Sequence, residues 1–133
     1  MDGKGRIAMP VRHRELLSAA GVNQLTITKH PEGALMIFPR PAWEPFRARV
    51  AALPMDSLGW KRVFLGNAMD VEIDASSRVL IPPELRKSAR LEREVMLLGM
   101  GNHFELWDAA AHDTYEKGVM QSAMPDSLKS FTF

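Results

Sequence analysis

Asp2-Gly-Lys-Gly-Arg6-Ile-Ala-Met-Pro10 and Asp74-Ala-Ser-Ser-Arg78-Val-Leu-Ile-Pro82 are two versions of one pattern, 72 positions apart without a gap. Each places an Asp, three small or polar residues, an Arg, three apolar residues and a Pro in the same order. The correspondence continues outward. Arg14 falls on Arg86, and small deletions bring Leu25-Thr-Ile27 over Val95-Met-Leu97 and Leu35-Met-Ile-Phe38 over Phe104-Glu-Leu-Trp107. Such order at a fixed offset marks an internal duplication. Each copy reads as an Asp-containing turn, a short apolar strand ended by Pro, a short helix, a strand, a Gly-containing turn and a further strand.

In copy 1 the helix is predicted over Val11 to Ala20: Pro10 suits a helix start, Leu16 and Leu17 give an apolar stripe, and Gly21 is a good stop. Copy 2 repeats it from Pro83 to about Arg90. Gln24–Thr28 and Ala34–Phe38 form a predicted hairpin across His30-Pro-Glu-Gly33, and Glu94–Leu98 and Asn102–Trp107 another across Gly99-Met-Gly101. Between the copies, Trp43, Phe46, Val50 and Leu53 recur at helical spacing from Pro41 to Leu53. Asp56 or Ser57 would cap a second helix running to about Leu65, and Asp108 would cap one through Tyr115 to about Met120. Gln121 to Phe133 is Ser-rich without a period, a mobile tail. One element is unequal. An alternating strand, Ala68 to Ile73 with Met69, Val71 and Ile73 on one face, precedes copy 2, whereas copy 1 has only Met1 in that place.

Composition bounds the chemistry. The 133 residues, 46% hydrophobic and 25% charged, suit a small globular chain. No apolar run approaches the roughly 20 residues of a membrane span, and the start lacks a secretory-signal pattern, so a cytoplasmic chain is expected. With no Cys and with His13, His30, His103 and His112 scattered, neither thiolate chemistry nor a metal site is expected. The net charge of +1 hides an asymmetry: residues 1–65 carry ten Lys/Arg against five Asp/Glu, and residues 66–133 seven against eleven. An N-terminal half that meets a polyanion, or two halves that attract across an assembly, would produce it.

The paired Asp-x-x-x-Arg turns resemble the turn that opens the AbrB-like (SpoVT-AbrB) DNA-binding unit, and two such units in a chain of this length resemble the MraZ family of bacterial transcriptional regulators. Phe38-Pro39 before Trp43-Glu44, Leu65-Gly-Asn-Ala68 before the second motif, and Gly101-Asn-His-Phe-Glu-Leu-Trp107 add to the resemblance, which covers about residues 2 to 118. It implies an α+β, mainly β fold in which two tandem AbrB-like units form a swapped-hairpin type barrel with flanking and connecting helices. On that reading unit 1 spans 1–41 without its first strand, a helical connector 42–67, unit 2 68–112, and a C-terminal helix and tail 113–133. The resemblance also implies ring assembly larger than a dimer, binding to repeated promoter elements upstream of the division and cell-wall gene cluster, repression including of its own promoter, and a nucleoid-associated location.

Physical chemistry supplies candidate contacts. A guanidinium can bond two acceptors on guanine or bridge a phosphate, so Arg6 is expected to read a base edge. Lys4 lies in the same turn with Gly3 and Gly5, which let the backbone come close to DNA. Arg12 and Arg14 sit near a helix start, where the dipole disfavours cations, so they call for an anion, either phosphate or Glu15. Arg78 and Arg86 are the copy 2 counterparts. Asp2 and Asp74 shape the turns, and each could pair with its Arg instead, leaving that Arg to structure; this remains open for Arg78, whose Ala75-Ser-Ser77 turn lacks the glycines and lysine, and Glu84 replaces Arg12. The nine Met read as core filler, Trp43, Trp60 and Trp107 as core or interface residues, and His103 with Glu105 as a solvated strand face rather than an acid/base pair. The expectation is a double-stranded-DNA-binding homo-oligomer without enzymatic activity or cofactor; a ring-forming scaffold with incidental DNA affinity is the alternative.

Overall fold

A computed structural model describes residues 1–131. Its strands are β1 (Arg6–Ala8), β2 (Gln24–Lys29), β3 (Leu35–Pro39), β4 (Met69–Glu72), β5 (Arg78–Leu80), β6 (Val95–Gly99) and β7 (Phe104–Asp108). Its helices are α1 (Val11–Ala19), α2 (Arg40–Ala51), α3 (Leu58–Gly66), α4 (Pro83–Ser88) and α5 (Ala109–Gln121). Both hairpins form, turning where Gly33 and Gly101 take the positive φ values of 93° and 89° that a Cβ would oppose.

All strand pairing is antiparallel, in a two-stranded ribbon β1-β5 and a five-stranded sheet ordered β4-β2-β3-β7-β6. The two copies are therefore interleaved. β1 of copy 1 pairs with β5 of copy 2 about Ile7↔Val79, and β3 pairs with β7 about Met36↔Glu105. Exchanging the copies leaves both registers unchanged: Arg6↔Leu80 maps onto Ala8↔Arg78, and Leu35↔Leu106 onto Ile37↔Phe104.

Period-2 alternation divides the larger sheet into two apolar faces. Leu25, Ile27, Leu35, Ile37, Phe104 and Leu106 enter one core with Ile7, Met9, Val79 and Ile81 of the ribbon strands and their Pro-ended extensions, and with Leu17 of α1 and Leu85 of α4. On the opposite face Met36 and Phe38 meet Trp43 and Phe46 of α2 and Phe64 of α3. Phe38 stacks on Phe46 at 4.7 Å and meets Trp43 edge-on at 5.5 Å, arrangements that favour aromatic pairs beyond their area.

Several expectations are corrected. Both sheets are open, and among the described residues they do not close into a barrel: the ribbon strands are three residues long and the outer edge of β6 carries no strand. Neither Asp56 nor Ser57 caps α3. Pro54 instead opens a 3-10 turn, Met55–Ser57, and the Ser57 hydroxyl donates to Asp56 Oδ1 at 3.2 Å. Asp108 does cap α5, its Oδ2 accepting from the Ala111 N–H at 3.0 Å. The tail contains a 3-10 turn, Asp126–Leu128, with a Lys129–Asp126 ion pair; residues 132 and 133 lie outside the described residues. Of the nine Met, Met9 and Met36 fill core, while Met55, Met69, Met96, Met100, Met120 and Met124 are exposed, so the reading as filler holds for a minority.

Candidate nucleic-acid interface

The duplicated turn is the same object twice. Asp2 Oδ1 accepts from the Lys4 and Arg6 N–H groups at 3.0 and 2.9 Å, and Asp74 Oδ1 from those of Ser76 and Arg78 at 2.8 and 2.9 Å. Backbone bonds close each loop, Gly5 N–H to Asp2 C=O and Ser77 N–H to Asp74 C=O, both at 3.0 Å. A short side-chain acceptor that binds backbone two and four residues on is what Asp offers and Glu cannot reach. The Arg6 N–H is the main influence holding the Asp2 carboxyl below its ordinary value, with the Arg6 side chain adding to it; the Arg78 N–H does the same for Asp74. The residue before each Arg has positive φ, 83° at Gly5 and 59° at Ser77, so copy 2 carries a conformation there that glycine would adopt without strain.

Ribbon pairing sets the two turns side by side, with Arg78 Nη1 3.9 Å from Asp2 Oδ2. Arg6 Nε donates to Asp2 Oδ2 at 2.8 Å, whereas Arg78 Nε stands 3.5 Å from Asp74 Oδ2 and is buried without a hydrogen-bond partner. Both Arg side chains keep partial exposure, 26% and 36%. The ion pair at Arg6 engages Nε and leaves the two-nitrogen Nη edge, the one that would face base acceptors, without a protein hydrogen bond among the described residues. Pairing with Asp2 and contact with DNA are thus compatible.

The other arginines are placed crosswise. Arg14 of α1 lines a cleft with Asp74 and Ser77 of the copy 2 turn, and Arg86 of α4 lies against Gly5 of the copy 1 turn. A Cβ at Gly5 would collide with the Arg86 guanidinium, so the close approach for which Gly5 is needed is made by Arg86. Arg86 Nε is buried and unpartnered. Lys4, Arg12 and Arg14 are exposed, and Gly3 has no neighbour where a Cβ would stand. The first turn of α1 holds no acidic residue, and among the described residues Glu15 forms no ion pair with Arg12 or Arg14; Arg12 Nε instead donates to His13 Nε2 at 3.3 Å. In α4 the equivalent turn contains Glu84.

Sequence reasoning missed the crosswise packing, which depends on strand exchange between copies, and it misjudged Glu105. That residue is 8% exposed, accepting from Trp107 Nε1–H at 3.0 Å and facing His30 Nε2 at 3.2 Å, so the expected solvated strand face is a buried polar cluster. Its signal was a lone Glu between Phe104 and Leu106, with Trp107 following, all three of them core. His103 stacks on Phe38 at 4.9 Å, and burial pushes its imidazole down; burial and the Arg12 charge do likewise at His13. Trp43 and Trp107 are buried and Trp60 exposed. Among the described residues no three His, Asp or Glu side chains gather as metal ligands, and no helix is long and apolar enough to cross a membrane.

Known proteins resemble the chain along its whole length. A family model described as "MraZ protein, putative antitoxin-like" matches residues 64–128. A protein of Methylibium petroleiphilum is 62% identical over the whole chain and 91% of its own length, one of Verminephrobacter eiseniae 59% over the whole chain and 94% of its length, and one of Acidovorax ebreus 58% with the same coverages. Each of these relatives is named Transcriptional regulator MraZ. With more than half of all positions identical to these relatives along its entire length, the chain belongs to the MraZ family.

Proposed function

We propose that the chain is a sequence-specific, double-stranded-DNA-binding regulator of transcription, acting at repeated promoter elements as a closed ring of subunits and repressing the division and cell-wall gene cluster that includes its own promoter. The observation that carries this reading is the juxtaposition of the two Asp-x-x-x-Arg turns, with the Nη edge of Arg6 free of protein hydrogen bonds among the described residues and the exposed Lys4 in the same turn. The start of α1 supports it: Arg12 and Arg14 face an unfavourable dipole with no acid in the first turn, a charge pattern that phosphate would complete. The exchange of β1 and β5 supports interleaved AbrB-like units of swapped-hairpin type, within the divisions 1–41, 42–67, 68–112 and 113–133.

In this mechanism Arg6 reads a base edge, Lys4, Arg12 and Arg14 hold phosphates, and Asp2 and Asp74 fix the turns. Arg78 and Arg86, half-covered by protein, contribute from copy 2 more weakly. Weak contacts repeated around a ring are raised by effective concentration when the operator repeats too, and the occupied promoter excludes polymerase. The protein works in the cytoplasm at the nucleoid, with no catalytic step and no cofactor. A scaffold that forms rings and binds DNA incidentally is the second reading, favoured by exposed apolar side chains such as Leu16, Met55 and Met120.

Arg6→Ala tests the assignment. It is expected to cost about 1 to 3 kcal/mol per site and to erode discrimination between operator and scrambled duplexes while subunit number and fold are kept. Arg12→Ala or Arg14→Ala should weaken both duplexes alike and flatten the slope of log affinity against log salt by about one unit. Undiminished discrimination by a folded Arg6→Ala protein refutes base reading by Arg6, and a monomer by light scattering refutes the ring.

A further inference from the structure

Of the three tryptophans, Trp43 and Trp107 are buried, at 3% and 5% exposure, while Trp60 is 49% exposed. An indole carries a large apolar surface, and leaving half of it in water forgoes the burial that the other two obtain. Trp60 stands in the first turn of α3, at the corner where α2 gives way to α3. It stacks on Phe64 with ring centroids 5.6 Å apart and planes 24° apart, so one ring face is covered and the other is left to solvent. Phe64 meets Phe46 edge-on at 5.8 Å, and the Arg49 guanidinium lies 6.0 Å from the Phe46 centroid. Since Phe46 also stacks on Phe38, a ladder of rings runs from the core behind the sheet to the surface.

This corner is open and cationic. Gly59, immediately before Trp60, has no atom within 4 Å of where its Cβ would stand, so the chain leaves space beside the indole. Residues 40–66 carry five Lys/Arg against two acids. Of these, Glu44 is taken by Arg40 and Arg47 at 3.2 and 3.0 Å, and among the described residues Arg49, Lys61 and Arg62 form no ion pair. Phe64 packs with Phe38 and Trp43 on the sheet face opposite the ribbon strands, so the corner lies across the sheet from the two Asp-x-x-x-Arg turns.

We propose that the Trp60 corner is a second nucleic-acid site, one that takes single-stranded RNA: an unpaired base stacks on the free indole face while Arg49, Lys61 and Arg62 hold the flanking phosphates. A ring with cations beside it accepts any unpaired base, because every base has a π face, whereas the bases of a duplex are already stacked on one another. Asp56, exposed in the 3-10 turn four residues before Trp60, supplies an acceptor for a ribose 2′-hydroxyl, a donor that deoxyribose lacks. A second copy of the chain is the poorer occupant. Two such corners face to face would set Arg49, Lys61 and Arg62 against their own kind. The site goes beyond the duplex-binding reading and shares none of its residues.

The probe is an oligouridine of about 15 nucleotides, added to the full chain at low salt. Because Trp43 and Trp107 are buried, quenching of tryptophan fluorescence by a stacked base reads Trp60. Saturable quenching is expected. By anisotropy of the labelled strand, Trp60→Ala should weaken binding about five- to 150-fold, the loss of one stacked base, and Trp60→Phe, which keeps a ring, should retain most of the affinity. Replacing Arg49, Lys61 and Arg62 together by Ala should flatten the slope of log affinity against log salt by about 2 units, at roughly 0.7 per phosphate of a single strand. An oligodeoxyuridine of the same length should bind more weakly, and equal affinity overturns the assignment to RNA. Arg6→Ala should leave oligouridine binding unchanged; its loss there places the strand on the duplex site and overturns the proposal. So does an absence of quenching, or full affinity in a folded Trp60→Ala protein. A change of subunit number on Trp60→Phe, seen by light scattering, also overturns it, by placing a neighbouring copy over the indole.

Discussion

Gly5→Ala separates two costs that the structure places at one residue. The first is conformational: Gly5 has φ of +83°, where a Cβ costs about 1 to 2 kcal/mol. The second is the collision of that Cβ with the Arg86 guanidinium. Because the guanidinium is the far end of a flexible side chain, with its Nε already unpartnered, it should swing outward, losing the packing of a half-buried stem at roughly 0.5 to 1 kcal/mol. The backbone cost therefore dominates. Gly21 is an internal control: its φ is +70° and no atom lies within 4 Å of where its Cβ would stand. Gly21→Ala should lower stability by the conformational cost alone, and Gly5→Ala by that amount plus the Arg86 increment. At about 3 to 5 °C per kcal/mol for a chain of this size, the two variants should melt about 2 to 5 °C apart. Adding Arg86→Ala to each should bring their losses, measured from Arg86→Ala, to the same value. Equal melting of the two single variants, or a gap that survives removal of Arg86, refutes the contact.

Asp108→Ala should cost about 0.5 to 2 kcal/mol through lost capping of α5, whereas Asp56→Ala should be near neutral in thermal unfolding. The Asp2 and Asp74 carboxyls are held below their ordinary value of 3.8, so their stabilisation is complete above about pH 5 and is lost as pH falls through the folded values; Asp2→Asn with Asp74→Asn should flatten the acid limb of denaturant midpoints against pH. His103 is depressed by burial, so the unfolded chain takes the proton first and stability should fall as pH drops below 6.5. Its NMR titration midpoint should lie below 6.5, and His103→Phe should remove part of that loss.

The duplication, both hairpins and the spacing of α1 and α2 are legible in the sequence because they rest on local signals: Gly at positive φ, Pro at a helix start, apolar residues every second or fourth position. What escaped are features created by strand exchange. Arg86 beneath Gly5, and His30 against Glu105, bring together residues from different copies, which no spacing records. The missing cap at Asp56 has a local cause that pattern reading passed over, since Pro54 starts a 3-10 turn before the helix and places Ser57 at its N-cap without capping geometry. At the candidate interface the sequence supplied the residue types, and the structure added that Arg6 can pair with Asp2 through one nitrogen while keeping its outer edge available.

The interleaving of β1 with β5 also sets a schedule. Arg6 cannot meet Leu80 until both have been synthesised, and β3 must wait for Phe104 and Leu106 of β7. At a synthesis rate of about 5 to 20 residues per second, the 72 positions between equivalent strands take about 4 to 14 s. During that interval the first copy presents Ile7, Met9, Leu35 and Ile37 without the partners that later bury them. Local hairpins form in microseconds and can exist early, but the shared core is a late, long-range event. Nascent chains stalled before residue 78 should therefore remain protease-sensitive and attract chaperones, and the shared core should become resistant only after Leu106 has left the ribosome.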